Sequence, residues 1–201
     1  MDKKWLPLTI TLGVAGVAVV AASVWPDDVE KPPLPQSLCH GALSRETAEL
    51  IDDGQGGGEV SAGAWESKGS TTDSAVLKEC HVLRAGQDGA KRRGVYKLVV
   101  EDARSASGTK NGSTPLGPGF TGWALPDRAE VTLPVGCAAR MGSAAPHVRA
   151  SLEVPSQDEE RLYRLGEEPP VAPATATRNN VTVMREVATR LTARYDCADT
   201  G

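Results

Sequence analysis

The chain has 201 residues, a formal net charge of −4 at pH 7 and 24% charged residues. So weak an acidic balance excludes the basic footprint of a nucleic-acid-binding protein. This length is sufficient for one ordinary domain together with a targeting or membrane segment.

The most apolar stretch is Leu6 to Trp25, a run of 20 residues without a charge. A helix of that length is about 30 Å long, which matches the hydrocarbon core of a bilayer. Lys3 and Lys4 precede the run, and Trp5 and Trp25 lie at its two ends, where interfacial aromatic residues are common. The sequence therefore predicts a single-pass membrane anchor over residues 1–25, with a cytoplasmic N-terminus and the rest of the chain outside the cytoplasm.

A cleaved signal peptide, which would release a secreted protein, is the alternative interpretation. Val20 and Ala22 are small residues that fit a processing site. The full spanning length of the run favours a retained anchor. Residues 26–38, with the sequence PDDVEKPPLPQSL, predict a proline-rich stalk, so residues 39–201 are expected to form one extracytoplasmic domain.

All four cysteines lie beyond the apolar run, in the compartment where disulfides form: Cys39, Cys80, Cys137 and Cys197. An even number predicts two disulfides, for which three connectivities are possible. The sequence alone does not choose among them. Pairing Cys39 with Cys80 and Cys137 with Cys197 is preferred, because each bond would tie a terminal element to a strand of the same half.

The pattern after the stalk predicts a helix followed by several strands. Residues 43–54 read as a short helix with Ser44 as its N-cap and a buried stripe of Leu43, Thr47, Leu50 and Ile51. A weak strand is expected at 59–64, and period-two patterns predict a hairpin of strands 78–84 and 94–101. In the second of these strands, Tyr96, Leu98 and Val100 form the face expected to turn inward.

The second half predicts a long loop, two strands and two helices. Residues 104–128 are rich in Gly, Ser, Thr and Pro and read as a loop without regular structure. Strands are expected at 130–139 and 147–154, a short helix at 156–165 begun by a capping box of Ser156 and Glu159, and a final helix at 180–195. The whole predicts an α+β domain: one antiparallel sheet flanked by N-terminal and C-terminal helices.

The order of these features resembles actinobacterial cell-envelope proteins. The resemblance rests on the anchor and stalk, the Leu38-Cys39-His40 segment leading into LSRETAELIDDG, a mid-domain cysteine strand, and Val-Gly-Cys before a helix that ends in Cys197. The domain is similar to lipoprotein families built on a small α+β sheet, although the chain lacks a lipid-accepting cysteine. The resemblance implies a location and a fold, with no catalytic residues.

Two motifs suggest chemistry, and neither is sufficient to predict it. The dipeptides Cys39-His40 and Cys80-His81 would be neighbours if their cysteines paired, but their spacing is not that of a zinc module and disulfides are expected instead. Ser107 and Lys110 match the S-x-x-K pattern of penicillin-recognising enzymes without its partner motifs. We therefore predict no metal, no cofactor and no enzyme; an envelope hydrolase with Ser107 as nucleophile is the alternative.

Two aromatic residues in the long loop are the candidate binding residues. Phe120 and Trp123 lie in a segment otherwise built for solvent, and exposed aromatic side chains anchor many interfaces. The alternative is that both fold back against the sheet. The sequence thus predicts a binding or interaction domain of the cell envelope, with the membrane, another envelope protein or a cell-wall component as its partners and no nucleic acid.

Overall fold

The computed structural model describes residues 32–52, 57–63, 77–86 and 91–197. The predicted anchor, with Lys3, Lys4, Trp5 and Trp25, lies outside these residues, as does the first part of the predicted stalk. Within the four described ranges, no helix combines the length and the apolar character that crossing a membrane requires.

The domain is α+β, as predicted, and its sheet has seven antiparallel strands. Two short strands, β1 and β2, first pair with each other, and the main sheet has the order β3-β4-β5-β9-β8-β7-β6. The strand bounds are β1 Ser37–Leu38, β2 Leu43–Ser44, β3 Val60–Gly63, β4 Leu77–Ala85, β5 Arg92–Ala103, β6 Thr114–Pro115, β7 Thr121–Ala124, β8 Arg128–Thr132 and β9 His147–Glu153.

The described residues form four α-helices beside the sheet. They are α1 Arg45–Glu49, α2 Val135–Met141, α3 Glu159–Leu165 and α4 Pro173–Arg194, with 3₁₀ turns at Cys39–Gly41 and Pro155–Gln157. Helix α4 has 22 residues and packs on β7, β8 and β9. The side chains of Met184, Val187 and Leu191, on the inner face of this helix, are fully buried. Burial of each such side chain stabilises the fold by about 1.5–3 kcal/mol.

The hairpin of β4 and β5 confirms the predicted pair of strands and its inward face. Tyr96, Leu98 and Val100 are all buried. The register shifts between Val82 and Leu83, so Val95 is an additional residue on β5 and is buried as well. A bulge of this kind changes which face a side chain occupies, which a strict period-two pattern does not anticipate.

One face of the sheet is the core and the other is charged. Register places Cys80, Leu98, Leu152, Ala129 and Ala124 in one buried row across five strands. The N-terminal segment covers the β4 side, where Leu34 and Leu38, from the end of the predicted stalk, belong to the core.

The opposite face carries ion pairs between neighbouring strands. Lys97 Nζ lies 2.6 Å from Glu79 Oε1, and Arg149 Nη2 lies 2.6 Å from Glu101 Oε1. The hydrogen bond from Lys97 holds the pKa of Glu79 below its ordinary value. These side chains are roughly one-third exposed, which is typical of a solvated sheet face.

Several predicted element bounds are wrong. The loop predicted at 104–128 contains β6 and β7, and the strand predicted at 130–139 ends at Thr132 and is followed by α2. Pro134 separates the two elements, since proline cannot donate to a strand ladder but is tolerated at a helix start.

The helix predictions need similar corrections. The N-cap of α3 is Asp158, whose side chain accepts a hydrogen bond from Arg161 N at 3.0 Å, so the capping box at Ser156 is wrong. Ser44 does cap α1, but that helix ends at Glu49, and Leu50 is 38% exposed instead of buried. Helix α4 begins at Pro173, seven residues before the predicted start.

Candidate ligand-binding groove

Two disulfides fix the ends of the domain. Cys39 pairs with Cys80 and Cys137 with Cys197, with Cα–Cα distances of 5.5 and 4.8 Å, which is the preferred pairing of the sequence analysis. The first ties the N-terminal segment to β4, and the second ties α2 to Cys197, three residues beyond the end of α4. Disulfides of this kind are typical of proteins in an oxidising compartment.

The second disulfide joins the two walls of a groove of about 590 Å³. The C-terminal half of α4 forms one wall, and the β8–α2 connection forms the other, with the β6–β7 loop at one side. We call this the α4 groove. Its lining residues are Ala106, Gly119, Phe120, Thr121, Thr132, Leu133, Pro134, Val135, His147, Ala188, Thr189, Thr192, Ala193 and Asp196.

Phe120 is half-buried, and Arg185 of α4 fixes the loop that carries it. The Arg185 guanidinium lies 5.7 Å from the centroid of the Phe120 ring, and its Nε donates to the Leu116 carbonyl. Gly117 has φ +93°, and a Cβ there would lie 2.1 Å from Arg185 Nη2. The positive φ favours glycine at this position, and a larger residue would also have to displace the end of the Arg185 side chain.

Trp123 lies elsewhere, so the two candidate aromatic residues do not form one surface. It is on β7, is 5% exposed, and has Lys110 Nζ 4.7 Å from its ring centroid. The expectation that both aromatic side chains are exposed is therefore wrong for Trp123, which folds back against the sheet. Phe120 remains a candidate binding residue because it lines the α4 groove.

The polar groups of the groove are few. Thr132 Oγ1 accepts a 2.6 Å hydrogen bond from Ser107 N, which fixes the loop before β6 against β8. His147 is half-buried, and its Nδ1 atom is buried with no hydrogen-bond partner among the described residues. Because this nitrogen is buried, a ligand in the groove would contact the exposed part of the His147 ring instead. A lone histidine at the start of a strand gives no sequence signal that it lines a groove. His147 lies in the lining because β9 packs against α4 and α2.

The other candidate chemical residues do not line the α4 groove. Ser107 is 7% exposed, and its Oγ makes no hydrogen bond to any described residue. Cys39 and Cys80 are oxidised to a disulfide, so their sulfurs are not available to zinc. No group of three or more His, Cys, Asp or Glu side chains in the described ranges is placed to hold a metal ion.

The fold and the groove define the class of the described domain: a disulfide-stabilised α+β domain with a ligand-sized apolar groove. Comparison with protein-family models, with curated proteins and with solved structures finds no match to this chain.

Proposed function

We propose that this chain is a single-pass, membrane-anchored binding protein of the cell envelope, and that its extracytoplasmic domain holds a small, largely apolar ligand in the α4 groove. The run of 20 uncharged residues supports the anchor, and the two disulfides support the outward location of the domain. The resemblance to cell-envelope proteins agrees with both.

The observation that carries the binding role is the groove itself. Its volume of about 590 Å³ is in the range of small-molecule sites, which extends from about 300 to 1,000 Å³. Its walls present the apolar side chains of Phe120, Leu133 and Val135, and the polar lining residues are His147, Asp196 and four threonines. Such a lining favours a ligand with an apolar body and one or two hydrogen-bonding groups.

The rim gives a further reason to expect an occupant. Val135 is 67% exposed at the start of α2, although it is a large aliphatic residue beside an apolar groove. A ligand in the groove would remove part of this surface from water, and each 100 Å² of apolar area so buried contributes about 2.5 kcal/mol before binding costs are subtracted.

A substitution that fills the groove with a large side chain tests this function. Ala193 lies in the lining on α4 and is exposed to solvent, so Ala193→Trp would occupy the groove without disturbing the core. Ala174 is exposed on the same helix and does not line the groove, which makes Ala174→Trp the matched control. Full-length chains extracted from their native membrane would be compared by native mass spectrometry.

We expect a bound small-molecule mass on the wild-type chain and on the Ala174→Trp control, and its loss from Ala193→Trp. Equal occupancy of both variants would exclude the groove as the site. A wild-type chain that carries no bound mass would contradict the proposed function.

A further inference from the structure

The imidazole ring of His147 is the feature of the α4 groove that can select the chemistry of a ligand. His147 is the first residue of β9, and this strand packs against both α4 and α2. The residue is half-buried, and its Nδ1 atom is buried without a hydrogen-bond partner among the described residues. One edge of the ring is therefore closed, and only the other edge can meet a ligand.

The open edge of the ring carries Nε2. This nitrogen makes no hydrogen bond with any residue that the structure describes, yet Nδ1 is the ring nitrogen that is buried without a partner, so Nε2 keeps contact with solvent. The exposed part of His147 lines the α4 groove. Nε2 is therefore the ring nitrogen that a ligand in the groove can contact.

The burial of Nδ1 also determines which nitrogen carries the ring proton. A neutral imidazole has one N–H donor and one acceptor nitrogen. A buried N–H without an acceptor is rarer in folded proteins than a buried acceptor with an unused lone pair. We therefore assign the proton to Nε2, where it can be solvated or bound by a ligand. In this tautomer His147 presents a hydrogen-bond donor to the groove.

The charges around the groove limit the kind of acceptor that this donor can receive. The carboxylate in the lining is Asp196, and no lysine or arginine of the described residues lines the groove. Arg140 Nη2 lies 3.9 Å from Asp196 Oδ2, and both side chains of this pair are largely exposed. Arg185 is outside the lining and donates to the Leu116 carbonyl. An anionic ligand group would thus enter an apolar groove without a counter-charge, at a cost that a neutral acceptor avoids.

We propose that the α4 groove selects a ligand with a neutral carbonyl group, as in an ester, an amide or a ketone, which accepts a hydrogen bond from His147 Nε2. The apolar body of the ligand would pack on Phe120, Leu133 and Val135. This inference rests on the proposed function, because it names the chemical class of the ligand that the groove holds. The hydrogen bond would orient the ligand with its carbonyl toward β9.

The first measurement determines the tautomer and does not require the natural ligand to be known. Full-length chain labelled with ¹⁵N only at the Nε2 atom of histidine would be studied in lipid bilayers by solid-state NMR, at a mildly alkaline pH where imidazole is neutral. The chain has three histidines, and the signal of His147 is the one that His147→Phe removes. We expect a protonated Nε2. An unprotonated Nε2 would overturn the proposal, because the groove would then face an acceptor.

The second measurement compares three probes that share a phenyl ring. Acetophenone has a carbonyl group, α-methylstyrene has a methylene group in place of that oxygen, and benzoate has a charged carboxylate. Equilibrium dialysis against the full-length chain in nanodiscs, with empty nanodiscs as the blank, would give their affinities. We expect acetophenone to bind about two- to tenfold more tightly than α-methylstyrene, which is the effect of one hydrogen bond. Benzoate is expected to bind about tenfold more weakly than acetophenone.

A pair of histidine variants assigns this preference to the groove. His147→Phe keeps an aromatic ring and removes the donor, so it should lower the affinity for acetophenone to that for α-methylstyrene. Unchanged binding of α-methylstyrene by this variant would show that the groove is intact. His81→Phe is the matched control, because the His81 side chain is 47% exposed on β4 and does not line the groove. This control should bind all three probes as the wild type does.

Three results of the probe experiment would overturn the proposal. They are equal affinities of the wild type for acetophenone and α-methylstyrene, tighter binding of benzoate than of acetophenone, and an equal weakening of both neutral probes by His147→Phe, which would make His147 a structural residue only. In each case the groove would still hold a small molecule, so the proposed function would stand. A wild-type chain that binds none of the probes and carries no bound mass would contradict both.

Discussion

The Arg84 guanidinium and the Asp52 carboxylate form an ion pair with an N–O distance of 2.8 Å, and 2% of the Arg84 side chain is exposed. The pair joins β4 to the segment that follows α1, and Arg84 Nη1 also donates to the Gly58 carbonyl at 3.4 Å. A charge buried this deeply is stable in the fold because its counter-charge is in contact with it.

Replacing one partner should therefore be costly. We expect Asp52→Asn to lower the free energy of unfolding by about 3–5 kcal/mol, because it leaves the Arg84 charge buried without its counter-charge. Urea unfolding followed by tryptophan fluorescence would measure the change. Glu160→Gln, which removes an exposed partner of Arg164, is the control and should cost at most about 1 kcal/mol. Equal small effects of both substitutions would show that Arg84 does not depend on Asp52.

The two loop aromatics should differ in what their removal does. Trp123 is buried, so Trp123→Ala is expected to destabilise the domain by about 3–5 kcal/mol. Phe120 is half-buried in the wall of the α4 groove, so Phe120→Ala should cost less stability and should lower the occupancy of the groove. Urea unfolding and native mass spectrometry of each variant would separate the two effects. A stable Trp123→Ala domain with an empty groove would contradict this assignment.

Glu186 gives the domain a dependence on pH. Burial raises its pKa, but hydrogen bonds from Thr47, Ser44 and Arg190 outweigh burial and hold the pKa of Glu186 below its ordinary value of 4.5. Because the pKa is lower in the folded state, the carboxylate stabilises the fold above pH 4.5, and this contribution is lost as the pH falls through the folded-state pKa.

The variant that tests this linkage is Glu186→Gln. The difference in free energy of unfolding between the wild type and Glu186→Gln should be largest at neutral pH and should shrink below pH 4.5. Urea unfolding at a series of pH values from 7 to 3 provides the measurement. A difference that grows as the solution becomes more acidic would mean that the carboxyl is protonated in the fold.

The disulfide between Cys137 and Cys197 should affect both stability and binding. It closes a sequence separation of 60 residues, which corresponds to about 4 kcal/mol on the chain-entropy estimate. Replacing both cysteines by serine is expected to destabilise the domain by up to this amount and to reduce occupancy of the α4 groove, whose walls it joins. The Cys39→Ser/Cys80→Ser variant, with a separation of 41 residues, should cost similar stability. If this second variant emptied the groove equally, the special role of the first disulfide would be excluded.

Much of the fold follows from local patterns in the sequence. Tyr96, Leu98 and Val100 alternate with half-exposed residues on β5, and Met184, Ala188 and Leu191 repeat at helical spacing on α4, so burial agrees with the pattern in both. The disulfides have the preferred pairing among the three connectivities that the sequence left open, although Cys137 lies on α2 and not on the strand expected there.

The rest depends on contacts that no local window contains. β7 is short and has no period-two pattern, and it is a strand because it pairs with β8. The start of α4 alternates Ala and Thr after Pro173, so it has no apolar stripe that would predict a helix. The α4 groove assembles residues between Ala106 and Asp196 whose types are ordinary one by one. Its sequence signal was limited to Phe120, because His147 and Thr192 acquire their positions from tertiary packing.

The most direct test of the account is the redox state and length of the chain in its native membrane. Full-length protein would be alkylated with and without prior reduction, and its intact mass would be measured. The account predicts that residues 1–25 remain attached, that no thiol is alkylated before reduction, and that four are alkylated afterwards. Cysteines that react without reduction would place the domain in a reducing compartment, and a mass that lacks the first residues through Ala22 would show a secreted protein; either result would contradict the membrane-anchored, extracytoplasmic account.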